Sequence, residues 1–531
     1  MSPSANHILV RAAQHLQSNQ TQAARSLLEE LLEKIPGTTQ AWLLLGGIAW
    51  KEDRVREAVR CALGAQASNP AAPALVCDVL AALIQVGESA AAHSLMKGPL
   101  PRGECSRELL MRLSGQAQKL GDHPRALSFL QRAGHAGATG ADFRCYLGVQ
   151  LAFNGRLQEA VSALESSTSL NPSLGRAALM LARLGRQTPE HNHLARLNEG
   201  LRSARRGSEE HAALEFARYN EFEALGHYED AWRSLAVGNG IMHALLKHDS
   251  VQEDERFKQL MKVTDASGWR ADIEPKRVGP QPVFVIGMPR SGTTVLDRIL
   301  GNHSQVRSAG ELGDFAHQLR WAVDHRTSLP LDHAAIERLK TADYAELGQR
   351  YLERTQWRAR GKPFYVDKLP ANWTVAGLIL RALPQARILH MVREPMDLCF
   401  SNYRALFGDS YAYSYDIPAL ARHYMNYREV MRHWHACFPG KILDVSYRKL
   451  VEDPETAARR VFAFCGLDYE PGCTDITGNN AAVATLSTAQ VHDAIHTRAA
   501  GRWRFYAPQL RELQTALGAH STAGAERIIP A

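Results

Sequence analysis

The chain has 531 residues, of which 45% are hydrophobic and 22% charged, and this ordinary globular usage excludes a mostly disordered protein. At roughly 150 residues per domain, the length allows two or three domains. The net charge of +7 is too small to indicate nucleic-acid binding by itself. Residues 1–270 hold 30 Lys and Arg against 28 Asp and Glu, and the remainder holds 32 against 27, so the basic excess lies in the C-terminal half.

The eight cysteines contain no CxxC pair, so the sequence predicts neither a zinc site nor a disulfide framework. We expect buried free thiols in a reducing compartment. No segment approaches the roughly 18 consecutive apolar residues that a membrane span needs. These features together predict a soluble cytoplasmic protein without a metal and without a membrane span.

An internal period of 34 residues runs through the first half of the chain. Its twentieth position is alanine in five successive copies: Ala24, Ala58, Ala92, Ala126 and Ala160. Small side chains at fixed positions let two antiparallel helices approach closely, and prolines such as Pro70 and Pro172 end the second helix of a copy. The pattern resembles the tetratricopeptide repeat, with a degraded sixth copy near 175–208 and a seventh suggested by residues 225–232. It predicts an all-α solenoid over residues 1–265.

A helical solenoid presents an extended concave surface, whose usual role is binding or self-association. The repeats could bind a peptide or protein acceptor, form a homodimer, or act as an inert spacer.

Residues 266–281 are rich in glycine, proline and charge, which predicts a linker before a second domain at 282–531. The apolar run 282–287 predicts a buried parallel strand, followed by a turn and a helix. Backbone N–H groups in such a turn and at the helix start converge on an anion. Thr293 stands where an ATP or GTP loop has lysine, and the positive charge lies in the turn as Arg290, so the loop fits a phosphate and departs from the ATP form. The alternative is a purely structural turn.

The string VFVIGMPRSGTT resembles the 5′-phosphosulfate loop of sulfotransferases that use 3′-phosphoadenosine 5′-phosphosulfate (PAPS). It resembles in particular the branch with tyrosylprotein sulfotransferases and bacterial proteins that join tetratricopeptide repeats to a sulfotransferase domain. The resemblance covers about 280–515 and implies a P-loop-like α/β domain with a parallel sheet. It assigns the loop to the cofactor, through Arg290, Ser291, Gly292, Thr293 and Thr294.

A second strand, turn and helix around Arg393 and Ser401 resembles the 3′-phosphate motif of this family. The two residues are eight apart, about two helical turns, so a guanidinium and a hydroxyl could reach one phosphate. Tyrosylprotein sulfotransferases have a further arginine twelve residues after the first, where this chain has Ala405 with Arg404 beside it. The alternative for Arg393 is a surface salt bridge to a neighbouring acid.

Two further segments resemble those that supply the family's catalytic groups. Glu311 is the expected general base, because the acceptor hydroxyl must lose its proton as it attacks sulfur. Lys368 is expected, with Arg290, to stabilise charge on the transferring group. As an alternative, Asp367 could hold Lys368 in a structural pair, and Asn372 could assist the same site.

The resemblance also places Tyr447, Ser487 and Arg502 on the nucleotide, with Arg498 as an extra candidate. The chain shows no metal-ligand spacing, and three histidines near 423–435 are interpreted as core or surface residues. The predicted function is therefore PAPS-dependent transfer of a sulfuryl group, releasing adenosine 3′,5′-bisphosphate, to an acceptor that is most simply tyrosine in a peptide or protein. The alternatives are a small phenol, saccharide or lipid hydroxyl, a nucleotide-dependent kinase, and an inactive scaffold.

Overall fold

The computed structural model describes residues 3–99, 105–185, 187–265, 279–327, 331–477, 495 and 500–518. Most of the predicted linker, residues 266–278, lies outside this part of the chain. Before it, the described residues form helices α1 Pro3–Gln17, α2 Thr21–Lys34, α3 Thr39–Lys51, α4 Val55–Ala67, α5 Pro73–Gln85, α6 Ser89–Lys97, α7 Arg107–Lys119, α8 His123–His135, α9 Ala141–Phe153, α10 Leu157–Leu170, α11 Gly175–Leu184, α12 Leu194–Ser203, α13 Glu209–Ala224, α14 Tyr228–Leu246 and α15 Ser250–Val263.

The helices of the first half confirm the predicted repeat. The five alanines of the period lie on α2, α4, α6, α8 and α10, and each is at most 2% exposed. Gly148 on α9 shows why the pattern needs small residues, because a Cβ there would lie 2.7 Å from Cγ of Leu164 on α10. The two helices of a copy therefore pack with little space between their backbones, as the sequence pattern requires.

The second half is an α/β arrangement. Its strands are β1 Gln281–Ile286, β2 Val306–Ser308, β3 Phe364–Asp367, β4 Arg387–Val392 and β5 Ile442–Ser446, and its helices are α16 Thr293–Gly301, α17 Asp314–Ala322, α18 His333–Arg338, α19 Tyr344–Thr355, α20 Ala376–Ala382, α21 Pro395–Tyr403, α22 Ile417–Cys437, α23 Tyr447–Glu452, α24 Pro454–Cys465 and α25 Arg511–Leu517. The strands form one parallel sheet in the order β2-β3-β1-β4-β5. This confirms the predicted fold class.

The apolar strands explain where the core of the sheet lies. Val283 and Val285 of β1 and Leu389 of β4 are at most 1% exposed, and they pack with Leu296 of α16. Strands buried on both faces have continuous rather than alternating apolar residues, as β1 does. The packing fixes the sheet, and with it the positions of the loops that follow each strand.

The chain divides into two compact units. The boundaries of these units do not coincide with the place where the repeats end and the sheet begins. One unit contains residues 1–138 and 313–357, and the other contains 139–312 and 358–531. Helices α9–α15 thus belong to the same unit as the sheet, whereas α17–α19 belong with the first repeats. The boundaries at 265 and 282 separate kinds of element and stay a prediction about domains.

All eight cysteines are free, and all except Cys105 are buried. None of the helices in the described ranges combines the length and the apolar character that a membrane crossing requires.

Candidate active site

The carboxyl ends of the five parallel strands lie along one edge of the sheet, and a predicted site residue follows each of them. β1 leads into the turn with Arg290, β2 into the loop with Glu311, and β3 directly into Lys368. β4 is followed by Arg393 and β5 by Tyr447. The chain places β2 and β3 on one side of β1, and β4 and β5 on the other. Ligands of open parallel sheets bind where the strand order reverses in this way.

The turn between β1 and α16 has the backbone of an anion-binding loop. Arg290 and Gly292 have φ values of +67° and +105°, and such turns make concave nests of N–H groups at a helix start. Gly287 is required, because a Cβ there would lie 2.8 Å from the carbonyl oxygen of Met391. Ser291 is fully buried, and its hydroxyl has no hydrogen-bond partner among the residues described. The loop therefore offers a hydroxyl and backbone donors to a ligand.

Arg393 and Tyr447 lie against this loop. Nη1 of Arg393 donates to the carbonyl oxygen of Arg290 at 3.0 Å. Its guanidinium carbon is 4.8 Å from the ring centroid of Tyr447, and that ring fills the space beside Gly292 that a Cβ would need. Arg393 is 8% exposed. It is therefore a buried residue beside the loop and not a surface arginine.

Glu311 and Lys368 form an ion pair at the same sheet edge. Nζ of Lys368 donates to Oε1 of Glu311 at 2.6 Å. The lysine side chain is 3% exposed, whereas the glutamate is 41% exposed. The segment after Lys368 is tied to the phosphate loop, because the N–H of Gly287 donates to the carbonyl oxygen of Pro370 at 3.2 Å. A buried cation and an open carboxylate thus lie together near the loop.

Asp297 is a further acid of this region, which the sequence reasoning did not single out. It lies on α16, and its Oδ2 accepts a hydrogen bond from the Ser308 hydroxyl at 2.9 Å. Burial raises the pKa of this carboxyl, and the charge of Lys368 acts in the opposite direction. Its position on the helix after a phosphate loop was the signal that could have drawn attention to it. Asn372, which was expected to assist, has a buried Nδ2 without a partner among the described residues.

Several arginines gather around the phosphate loop. Burial and the charges of three other arginines together lower the pKa of Arg290 to about 9; these arginines are Arg404, Arg183 and Arg393. Burial and the charge of Arg404 likewise lower the pKa of Arg183 to about 10. Arg183 comes from repeat helix α11, so the sequence analysis had no reason to include it. Crowded like charges in a buried place are a favourable environment for an anion.

The other predicted residues are placed less closely. Thr293 and Thr294 begin α16, and Ser401 lies on α21, without a described contact to Arg393. Arg502 pairs with Glu223 of α13, whose Oε2 is 3.0 Å from Nη2 of the arginine. Ser487 and Arg498 lie outside the described residues.

Three side chains that could hold a metal ion come together elsewhere in the sheet layer: His390, His435 and Asp444. Nδ1 of His390 and Nε2 of His435 donate to Oδ1 of Asp444 at 2.7 and 3.0 Å. These are hydrogen-bond distances, and they satisfy the carboxylate without an ion. The cluster is a buried polar network, and we assign no metal to it.

The sequence profile of the sulfotransferase family matches residues 282–471, the region that contains the loop, Glu311, Lys368, Arg393 and Tyr447. Individual known proteins have low sequence identity to parts of the chain. An uncharacterised protein of Aquifex aeolicus is 27% identical over 66% of this chain and 47% of its own length. A protein-tyrosine sulfotransferase of Drosophila melanogaster is 24% identical over 35% of this chain and 38% of its own length. The matches thus span less than half of these two relatives.

Among solved structures, the sulfotransferase domain of the Synechococcus olefin synthase is similar. It is 20% identical, covers 45% of this chain and 91% of that domain, and gives a TM-score of 0.30.

Proposed function

Since residues 282–471 form a domain of the sulfotransferase family, we propose that the protein transfers a sulfuryl group from PAPS to a tyrosine hydroxyl of a peptide or protein. The observation that carries the proposal is the arrangement at the sheet edge, where an anion-binding loop, a buried arginine and a Lys–Glu pair come together. Tyrosine is favoured as the acceptor by the Drosophila relative and by the attached repeats.

The residues present fit PAPS. The cluster of arginines and the unsatisfied Ser291 hydroxyl offer donors to phosphate and sulfate oxygens. Arg290, Ser291, Gly292, Thr293 and Thr294 would hold the 5′-phosphosulfate. The 3′-phosphate would be held by Arg393 and Ser401, and the rest of the nucleotide by Tyr447, Ser487 and Arg502. When bound, PAPS supplies a sulfuryl group on a phosphate leaving group.

In this proposal Glu311 accepts the acceptor's hydroxyl proton while a new oxygen–sulfur bond forms and the sulfur–phosphate oxygen bond breaks. Lys368 and Arg290 stabilise negative charge on the sulfuryl oxygens and on the departing phosphate oxygen. Lys368 occupies Oε1 of Glu311, so Oε2 is the oxygen that an acceptor hydroxyl can reach without displacing the lysine. The free, buried cysteines fit a reducing compartment and support the cytoplasmic location that we propose with this activity.

The repeats would present the peptide or protein acceptor to this site, or join two copies of the chain. Sulfation of peptides by the full chain tests the first role. Size-exclusion chromatography with light scattering, which measures the oligomeric state, tests the second.

The test uses radiolabelled PAPS, a tyrosine peptide library and the Glu311→Gln variant. We expect labelled peptide from the wild-type protein, and a kcat about 10²-fold to 10⁴-fold lower in the variant, which is the usual contribution of a general base. The control is Glu337→Gln, because Glu337 of α18 forms an exposed pair with Lys340 and has no part in the proposed site. Unchanged turnover in Glu311→Gln would remove Glu311 as the base.

Mass spectrometry of the product identifies the acceptor. Label on a saccharide, lipid or small phenol and none on peptides would replace tyrosine while keeping the sulfotransferase activity. Tighter binding of ATP than of adenosine 3′,5′-bisphosphate would overturn the proposed function.

A further inference from the structure

Glu223, on repeat helix α13, is the meeting point of several polar groups in the unit that contains the sheet. Its side chain is 5% exposed. Nη1 of Arg404 lies 3.3 Å from Oε1, and Nη2 of Arg502 lies 3.0 Å from Oε2. The hydroxyls of Tyr219 and Tyr506 donate to Oε1 at 2.7 and 3.5 Å. One buried carboxylate thus holds two arginines that come from separate segments of the second half.

Both arginines belong to segments that are fastened to the phosphate loop. Arg404 follows α21, and Nδ2 of Asn402 on that helix donates to the carbonyl oxygen of Pro289 in the loop at 2.8 Å. Arg502 follows Gly501, whose N–H donates to Oδ1 of Asp397 on α21 at 2.7 Å. The contacts of Glu223 therefore continue, through α21, to the turn that precedes α16.

Helix α14 supports the same arrangement from the repeat side. Nδ2 of Asn239 donates to the carbonyl oxygen of Tyr403 at 3.1 Å, next to Arg404 in the chain. The ring of Trp232 stacks on that of Tyr403 with 5.7 Å between centroids, and it lies 5.8 Å from the ring of Tyr506. The segments that carry both arginines are thus packed against two helices of the repeat region.

From this geometry we infer that Glu223 is a positioning residue of the nucleotide site: the repeat region holds Arg404 and Arg502 in place for the phosphates of the sulfuryl donor. A buried carboxylate among several arginines offsets part of their mutual repulsion before an anion arrives, and it restricts the rotamers of two long side chains. The lowered pKa of Arg290 beside Arg404 supports the position of Arg404 near the loop. The inference rests on the proposed function and adds a role for the repeats within it.

The test measures binding of adenosine 3′,5′-bisphosphate to the full chain by calorimetry. Glu223→Gln keeps the size of the side chain and removes its charge, and we expect its Kd to rise about tenfold. Glu221→Gln is the matched control, because Glu221 is a buried carboxylate of the same helix that pairs with His193. This control should bind the nucleotide as the wild type does, and melting temperatures of all variants monitor folding.

A double-mutant cycle separates positioning from a general loss of structure. If Glu223 acts through the two arginines, its substitution should have less than a twofold effect on Kd in an Arg404→Ala, Arg502→Ala background. Full additivity, an unchanged Kd in Glu223→Gln, or tighter binding by that variant would each overturn this inference and leave the proposed function intact. Equal weakening in Glu221→Gln would also overturn it. If Glu223→Gln has a folding defect, Arg502→Ala is used instead, because the partly exposed Arg502 side chain is not needed for the core. We expect Arg502→Ala to weaken binding, since it removes a proposed phosphate donor. A wild-type protein without affinity for the bisphosphate would overturn the proposed function and this inference with it.

Discussion

The pair formed by Lys368 and Glu311 joins a cation that is almost completely buried to a carboxylate that is open to solvent. Burial of a lysine is costly unless the ammonium is paired, so the lysine is held in one position by the glutamate. The same pairing engages Oε1 of Glu311 and leaves Oε2 for the proposed acceptor hydroxyl. The two proposed catalytic roles are therefore linked, and each residue depends on the other for its geometry.

We predict that Lys368→Met lowers kcat about 10²-fold to 10³-fold, the effect typical of removing one group that stabilises developing charge. The KM for the acceptor peptide should change much less, because the charge of the lysine matters most as the sulfur–oxygen bond breaks. Lys340→Met removes the lysine of an exposed Lys–Glu pair and serves as the control in the same kinetic assay. A loss confined to KM would contradict the proposed role of Lys368.

Gly292 provides a second prediction at the residue scale. Its φ of +105° disfavours any side chain, and a Cβ would overlap the ring of Tyr447. Gly292→Ala should therefore displace that ring from Arg393 and raise the Kd for adenosine 3′,5′-bisphosphate at least tenfold, as measured by calorimetry. Gly207→Ala also has positive φ, at +74°, but has open space around its Cβ, so it isolates backbone strain. Equal affinities of the two variants would contradict the packing argument.

Single residues show what could be read from the sequence and what could not. Arg393 and Tyr447 could be located because each directly follows a strand, and Arg290 because it lies in the turn after β1. Parallel strands bring their carboxyl ends together. Glu223 could not, since its contacts with Arg404 and Arg502 join positions 181 and 279 residues apart, and no local pattern marks them. Asp297 lacked a recognised motif, although it lies four residues after Thr293.

At the scale of elements, strands β4 and β5 and helix α22 share a buried polar network. His390 and Asp444 are direct neighbours in the parallel pairing of β4 with β5, and His435 reaches the same carboxylate from α22. Nε2 of His390 also contacts the hydroxyl of Tyr427 on that helix. The network ties α22 to edge strand β5. Asp444 lies two residues before the end of that strand, which Tyr447 follows.

This network has a consequence for stability at low pH. Burial alone would raise the pKa of Asp444, but hydrogen bonds from His390 and His435 outweigh it and hold the pKa well below its usual range. A carboxyl with a depressed pKa in the folded state stabilises the fold above its ordinary pKa near 4, and this contribution is lost as the pH falls towards the folded value.

We therefore predict that Asp444→Asn lowers the free energy of unfolding by about 3 kcal/mol at pH 7, since it removes the buried negative charge to which two imidazoles donate. The difference from wild type should shrink below about pH 4, where the wild-type carboxyl loses its advantage. Urea denaturation between pH 7 and pH 3, followed by tryptophan fluorescence, measures this. Asp230→Asn, which removes an exposed pair with Arg233, should change stability by less than about 1 kcal/mol. A constant difference across the pH range would contradict the argument.

The elements themselves could largely be predicted, because their signals are local. The 34-residue period located the helix pairs, and the apolar run before the PRSGTT string located β1. The segment 313–357 shows where local signals are no longer sufficient. Its helices belong to the unit of the first repeats, where Arg350 and Arg354 both pair with Glu88. Partners more than 260 residues apart leave no periodicity that a single sequence reveals.

At the scale of the whole molecule, the grouping of elements matters more than their order along the chain. Helices α9–α15 share a unit with the sheet, and α13 and α14 contact the segments that carry Arg404 and Arg502. A ligand that binds the folded state stabilises the elements that form its site, by about 2.7 kcal/mol at a concentration of 100 times Kd. Nucleotide binding should therefore stabilise part of the repeat region as well as the loop.

Hydrogen exchange with mass spectrometry on the full chain tests this expectation. With saturating adenosine 3′,5′-bisphosphate, we predict at least tenfold slower amide exchange in peptides from α16 and from the α13 segment Glu209–Ala224, because Glu223 fixes the two arginines that hold the ligand. Peptides from α3 and α4, in the other unit, provide the internal control and should exchange at the same rate with and without the nucleotide. The Glu223→Gln variant should lose the protection of α13 while it keeps that of α16, since the phosphate loop retains its own donors. Protection of α16 without protection of α13 in the wild type would show that the nucleotide site is complete without the repeats.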